Sequence, residues 1–465
     1  MGMRFFITWI LFYAGITLSA SISWGLDYPP KFTFQKVPQP LAEQNPVKPQ
    51  PAQPVPTAGQ SFFDPSFGTI LTRVTLGIGL RHEYSRFDPF NANQSMIILH
   101  QPATGAWRIY RTISTPYDQD ANFVTEIDLA ECRWDPTDPN IIWGLSREHR
   151  TFRLIQMDVQ SGQLRIVKDF AEDPILGPVI SSETDLYRIT TKGEGEPSQD
   201  LRFWALFLQG TTEDYRLRYI FTWDREDDRV LGLYKIPARE ASLLDWVGMS
   251  PLGNWVVVGA DADWPPSGRT LGGLNLADKE LRKFHRLAHA TAHADVGLDA
   301  EGKEVIVMQN GRTDYVDLIP LAWDTLPVTE GSDYKKSHII PLLRLFYADS
   351  SPHGLKSGIH LSCNAPGYAV ISTYTPPQPA ARNWLDRTII LVRLSRQKPE
   401  VFYLARVHNT TKSYWEETQA TITRDGAKVV WASNWGQDIG KDKYFLMQLD
   451  MPPNWQSQDK RTSNW

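Results

Sequence analysis

A short unit recurs seven times along this 465-residue chain, and that repetition limits the fold more than any other feature. Each copy has a polar or aromatic lead-in, a short strand, a turn that often ends in glycine, and an apolar strand. The turns fall at 88–94, 135–140, 197–201, 250–253, 298–302, 363–367 and 423–426, and the last residues of successive turns lie 46 to 65 positions apart. Apolar runs such as Ile141-Ile142-Trp143, Trp255-Val256-Val257-Val258 and Val429-Val430-Trp431 follow them. Units of roughly 40–50 residues, lengthened by loops, match four-stranded propeller blades, each of which buries its apolar faces only against its neighbours. Helical periodicity is scarce. The expected fold is all-β, a seven-bladed β-propeller over 64–452 with a tail at 453–465. Residues 69–75 form a strand pattern with no local partner. In a closed ring they complete the last blade as its outer strand and remove a free edge.

Composition narrows the function classes. A hydrophobic share of 42 % supports a packed core, and a net charge of −5 gives no basic footprint for nucleic acid. Seventeen Trp suit heavy inter-sheet packing or stacking surfaces for sugars. Cys132 and Cys363 are too few for a disulfide framework and fall in distant repeats, so free, buried thiols are expected.

The leader reads in two parts. Within 1–25, Arg4 precedes an apolar run to Leu18, and Leu18-Ser19-Ala20 offers small residues for a signal peptidase. That is an export signal, with an uncleaved membrane anchor as the alternative. Residues 26–63 are rich in Pro and Gln and read as an extended, polyproline-like spacer. The expected location is periplasmic or extracellular, with the membrane involved only through such an anchor.

The chemistry-bearing residues gather at one end of the repeats. The run from Arg81 to His100 reads as a β-hairpin about Asn91, which sets His82 opposite His100 beside Arg81 and Tyr84. In a propeller, the segment before each first strand and the loop after each second strand open on the same face. Those two positions hold Arg133 and Arg147, Asp261, Asp263 and Trp264, His293 and Asp295, Arg312, His360 and Tyr374, and Glu417, Asn434 and Trp435. Six of the ten histidines (His82, His100, His149, His289, His293, His360) are expected on that face. For any one of them, a hydrogen bond to backbone at a strand end is the simpler role. No Gly-x-Ser-x-Gly elbow is present to support a serine hydrolase.

Ser250-Pro251-Leu252-Gly253-Asn254-Trp255 resembles the TolB-type propeller repeat, a resemblance that covers most of residues 65–450. More narrowly, His82-x-Tyr84-Ser85, followed by Asn91-Ala92-Asn93-Gln94-Ser95 and His100, resembles the first blade of propeller polysaccharide lyases of the ulvan and oligogalacturonide groups. The resemblance implies β-elimination on uronates, with histidine or tyrosine as base and acid and an arginine or a metal quenching the carboxylate. A base with pKa near working pH suits histidine. On this chain, His82 and His100 become base and acid candidates and Tyr84 an alternative acid. Arg81, Arg147 or Arg312 is then the neutraliser. His293, Asp295 and His360 would instead hold a divalent metal serving the same end. An acidic polysaccharide would lie against Trp264, Tyr374, Trp435, Asn434 and Glu417, on a monomer. The alternative is a non-catalytic cell-envelope propeller that binds a protein or glycan partner.

Overall fold

The computed structural model describes residues 26–456 apart from 43–44, 49, 78, 291, 347–357, 375–382, 398, 412 and 438–443. The expected signal or anchor at 1–25 and most of the tail lie outside the described residues. Seven antiparallel sheets follow one another as the blades of a propeller. Blade 2 runs Ala130–Trp134, Ile141–Leu145, Arg153–Asp158 and Leu164–Asp169, from channel to rim. Blades 3 to 6 repeat this order, with inner strands Leu186–Thr190, Leu244–Met249, Ala294–Leu298 and Ile359–Ser362. Every turn expected from the repeat lies between the first and second positions of its blade, so the count of seven holds.

The repeat has a physical basis in its turns. The hydroxyls of Ser198, Ser250 and Thr423 accept from the backbone N–H groups of Phe203, Trp255 and Lys428, at 2.9, 3.0 and 3.0 Å. Each of the three closes its turn with the same five-residue bond. Four of the turns end in glycine with φ between +71° and +84° (Gly253, Gly302, Gly367, Gly426), a region costly for other residues.

Burial on both faces explains the apolar second strands. In Glu304–Asn310 of blade 5, Val305 and Val307 pack into a core with Ile359 and Leu361 of blade 6. Ile306 and Met308, one position out of phase, pack with Trp246 and Val257 of blade 4. Alternate side chains thus join alternate neighbours, and each is worth about 1.5–3 kcal/mol of burial. Cys132 and Cys363 are free and buried.

Blade 7 draws on both ends of the chain. Thr421–Ile422, Lys428–Ser433 and Phe445–Asp450 are joined by Ile70–Arg73, which pairs antiparallel with Phe445–Asp450 (Leu71 opposite Leu449). Ser61–Phe63 adds one more strand outside Ile70–Arg73.

The Pro-rich leader is not the free spacer its composition suggests. Val37 N–H donates to Val401 O at 2.8 Å and Tyr403 N–H to Gln35 O at 2.9 Å, so the leader extends blade 6 along its outer strand Glu400–Arg406. Val37 is fully buried, Phe34 meets Trp455 edge-on, and Trp435 Nε1 donates to Gln53 O. Prolines remove donors, but their neighbours keep carbonyls and apolar side chains that an exposed sheet edge can bind.

Blade 1 departs from the rule. Its sheet has three strands, Met96–Gln101, Ala106–Arg111 and Phe123–Ile127. The inner position is taken by an irregular segment, 81–90, whose β-pairing to its own sheet consists of isolated bridges of Arg81 to His100 and Phe90 to Ile97. The continuous hairpin about Asn91 is therefore corrected. Arg81, not His82, lies opposite His100.

Candidate active site

The irregular segment of blade 1 enters the central channel and touches the inner strands of four other blades. Tyr84 meets His360 of blade 6 edge-on, with ring centroids 5.4 Å apart. Arg86 lies 4.3 Å over Trp246 of blade 4. Phe87 sits 3.2 Å beneath the guanidinium of Arg133 in blade 2, and its carbonyl accepts from Thr421 Oγ1 of blade 7. A regular strand cannot reach four partners across a channel; a loop carrying large side chains can.

A second loop, 191–202 of blade 3, lies along the inner strand of blade 4, where Met249 N–H donates to Glu196 O at 2.8 Å. A Cβ at Gly195 would sit 1.7 Å from Val247 O, so only glycine allows this approach. The loop brings Glu194 to Arg86. Arg86 Nη1 donates to Glu194 O at 3.0 Å, and Nη2 pairs with Glu194 Oε2 at 3.0 Å.

On the face where the lead-ins open, the structure brings together His293, His360, Tyr374 and Glu417. The rings of His293 and His360 are 4.4 Å apart, and Tyr374 lies 4.9 Å from His360 and 5.9 Å from His293. His360 Nε2 and Glu417 Oε2 are 2.7 Å apart. Burial, then the Arg81 and Arg86 charges, hold His360 well below its ordinary pKa, while burial pushes Glu417 up. A neutral imidazole that donates from Nε2 to Glu417 leaves His360 Nδ1 buried without a partner.

His293 is half-buried and stands 3.4 Å from Gln309 Oε1 through Nδ1. Assigning the Nδ1 proton to that contact gives Nε2 the lone pair. Burial, then His360 and Arg86, lower His293 to about 3. Gly358 backs Tyr374, since a Cβ there would meet the hydroxyl at 1.7 Å.

The first-named pair of histidines plays other parts. His82 is fully buried and bonds Gln419 O through Nε2; burial, then Arg81, lowers it to about 3. It has no open face for a substrate. His100 stacks on Trp107 at 4.3 Å and meets Trp415 at 5.5 Å, and burial, then Arg81 and Arg147, lowers it to about 4.

Arg81, proposed as a neutraliser, is fully buried and committed to Trp415 O, Gln419 Oε1 and His82 O. Arg147 lies 3.5 Å from Asp128 at the surface. Arg312 is exposed and lies 4.7 Å over the indole of Trp264, itself 42 % exposed. Trp435 and Asn434 are buried. Trp435 stacks on His408 at 4.2 Å, and Asn434 exchanges hydrogen bonds with Thr410. Neither offers a substrate surface.

The trio read as a metal site is not assembled. Asp295 is buried with its oxygens accepting from Val296 N–H at 2.9 Å and Cys363 N–H at 2.6 Å. Among the described residues no three His, Cys, Asp or Glu side chains are grouped to hold a metal ion. The residues present do not fit that role, and no step is routed through a metal.

Sequence reasoning missed Arg86 and Glu194. Arg86 stood inside the run read as a strand. For Glu194 the signal was the long interval between Thr190 and Phe203, with glycines at 193 and 195.

No family model and no curated protein matches this chain. Solved structures do. An oligogalacturonate lyase from Vibrio parahaemolyticus aligns with a TM-score of 0.52 at 10 % identity, over 87 % of this chain and 100 % of that one. The Cps50 (Swd1) β-propeller domain of Myceliophteria thermophila aligns at 0.43 and 12 % identity, over 80 % and 98 % of the two chains. The likeness to the oligogalacturonate lyase structure supports the propeller fold alone.

Proposed function

We propose that the protein is a lyase-like propeller that cleaves uronate-containing polysaccharides by β-elimination, with His293 as base. The observation that carries this reading is the His293–His360–Tyr374–Glu417 cluster at the channel mouth. His293 Nε2 takes the C5 proton, and the C–H electron pair becomes the C4=C5 double bond. The C4–O bond breaks, and the leaving oxygen takes its proton from Tyr374. His360, held by Glu417, positions the His293 ring. Arg312 pairs with the uronate carboxylate while Trp264 stacks under a neighbouring sugar. A bound carboxylate beside His293 raises its pKa from the free-state value and makes it a competent base.

The test is the ultraviolet absorbance of the unsaturated product when the protein meets a panel of uronate polysaccharides. Activity that falls about 100-fold in His293→Ala and Tyr374→Phe, with unchanged melting, supports the reading. No product across the panel refutes it. A second reading, a non-catalytic envelope propeller that binds a protein or glycan partner, is favoured by the structural commitment of His82, His100, Trp435 and Asn434. It predicts glycan or protein binding that both variants leave intact.

A further inference from the structure

The opposite mouth of the channel, where the turns between first and second strands lie, holds a cavity of about 50 Å³. It is lined by parts of the turns at 197–201, 250–253, 363–367 and 423–426 and is distinct from the histidine cluster, whose residues lie at the other ends of the inner strands. Its charged lining is Arg86, Arg133 and Arg424 against Glu194, Glu196 and Asp295. Two of these six form a closed pair, since Arg86 is hydrogen-bonded to Glu194. Asp295, pushed up to about 8 by burial, carries a proton at neutral pH.

That leaves Glu196 as the lining carboxylate that faces both Arg133 and Arg424, with Glu83 paired to Arg133 from behind the lining, and the fit of Glu196 is loose. Glu196 Oε1 lies 3.8 Å from Arg133 Nε and 3.9 Å from Arg424 Nη2, beyond hydrogen-bond reach of either. Arg133 is nearly fully buried, yet its Nε and Nη2 have no hydrogen-bond partner. Its remaining nitrogen donates to Glu83 Oε2 at 2.8 Å and Cys132 O at 2.7 Å, and its plane rests on Phe87. The fork is thus fixed in orientation with one edge unfilled. Leaving such donors dry is costly, and a fitting acceptor recovers that cost. The Glu196 backbone is pinned to Met249, while its side chain is 30 % exposed and free to swing outward.

We infer that this mouth is a binding site for a small oxyanion (carboxylate, sulfate or phosphate), which takes the unfilled edge of Arg133 together with Arg424 and displaces the Glu196 side chain. Two parallel N–H···O bonds to a planar guanidinium are what a two-oxygen anion offers and a carboxylate at 3.8 Å does not. Glu196 is the internal competitor, so its charge sets the affinity.

Calorimetric titration of the full chain at constant ionic strength, with inorganic phosphate, sulfate and galacturonate as probes, tests this. Glu196→Gln is expected to tighten binding and Arg424→Gln to weaken it, each about tenfold, or one decade of Kd. Whichever probe shows these opposite shifts identifies the oxyanion. Arg424 is partly exposed, so Arg424→Gln is expected to fold, and matching far-ultraviolet circular dichroism checks this. His293→Ala is expected to bind phosphate and sulfate as the parent does, which keeps the test independent of the lyase reading. Binding of all probes unchanged by both substitutions, or no binding to the parent and to Glu196→Gln, overturns the inference.

Discussion

Replacing Arg86 by methionine tests whether the channel loop is held by its ion pair. The guanidinium is 4 % exposed and bonded twice to Glu194, whose side chain is 26 % exposed. Breaking a fully buried pair from one side costs about 3–5 kcal/mol, because the remaining charge is stranded. The partial exposure of Glu194 places the expected loss for Arg86→Met at the lower end, about 3 kcal/mol. Adding Glu194→Gln removes the stranded charge, while methionine keeps contact with Trp246. The double variant is therefore expected within about 1 kcal/mol of the parent, a coupling of at least about 2 kcal/mol, to which the cost of Glu194→Gln alone adds because it strands the buried guanidinium. Urea unfolding of all four proteins, followed by tryptophan fluorescence, measures the cycle. Arg86 also depresses His293, so NMR titration of Arg86→Met is expected to show that ring moving up from about 3. Additive single substitutions would show that the pair does not couple and that the loop is held by packing alone.

Gly195→Ala forces a methyl group against the Val247 carbonyl and is expected to cost about 1–3 kcal/mol in urea unfolding while unseating Glu194 and Glu196. Asp295, raised to about 8 by burial, gives stability that is full below about pH 4 and is lost as pH rises through 8. Asp295→Asn is expected to flatten the fall in urea midpoint between pH 5 and 9 by up to one proton, other shares coming from Glu83 and Asp317, which burial raises to about 7, and Asp88, raised to about 6. An unchanged slope would refute that assignment. Val37→Asp places a carboxylate in a fully buried apolar site and is expected to free the leader from blade 6, read as faster proteolysis near residue 37 with a loss of about 2–3 kcal/mol.

The ring was legible because its repeat is written in local bonds. Ser250 and Thr423 close their turns within five residues, and Val305 to Met308 alternate between neighbours as sequence alone suggests. His293, His360, Tyr374 and Glu417 were placed on one face by blade position, and position suffices for side chains that project straight from strand ends. The same rule misplaced Trp435 and Asn434, because partners 24 or more residues away turn them inward. The segment 81–90 misled most. Its apolar and polar residues alternate as in a strand, yet Tyr84, Arg86 and Phe87 find their partners 46 to 334 positions away. Nothing local distinguishes such a plug from an edge. The leader misled for the opposite reason, since Val37 and Phe34 are outnumbered by prolines but anchored by distant partners.

Leu71 and Leu449 face each other across nearly the entire length of the polypeptide. During synthesis the six preceding blades emerge with one flank uncovered, and Ile70–Arg73 must wait until Phe445–Asp450 leaves the ribosome. Assembly is then gated by the final stretch to be translated, a long-range search that slows folding and exposes unpaired edges meanwhile. Loss of even a few residues from Phe445–Asp450 is therefore expected to yield an aggregating product rather than a weakened one.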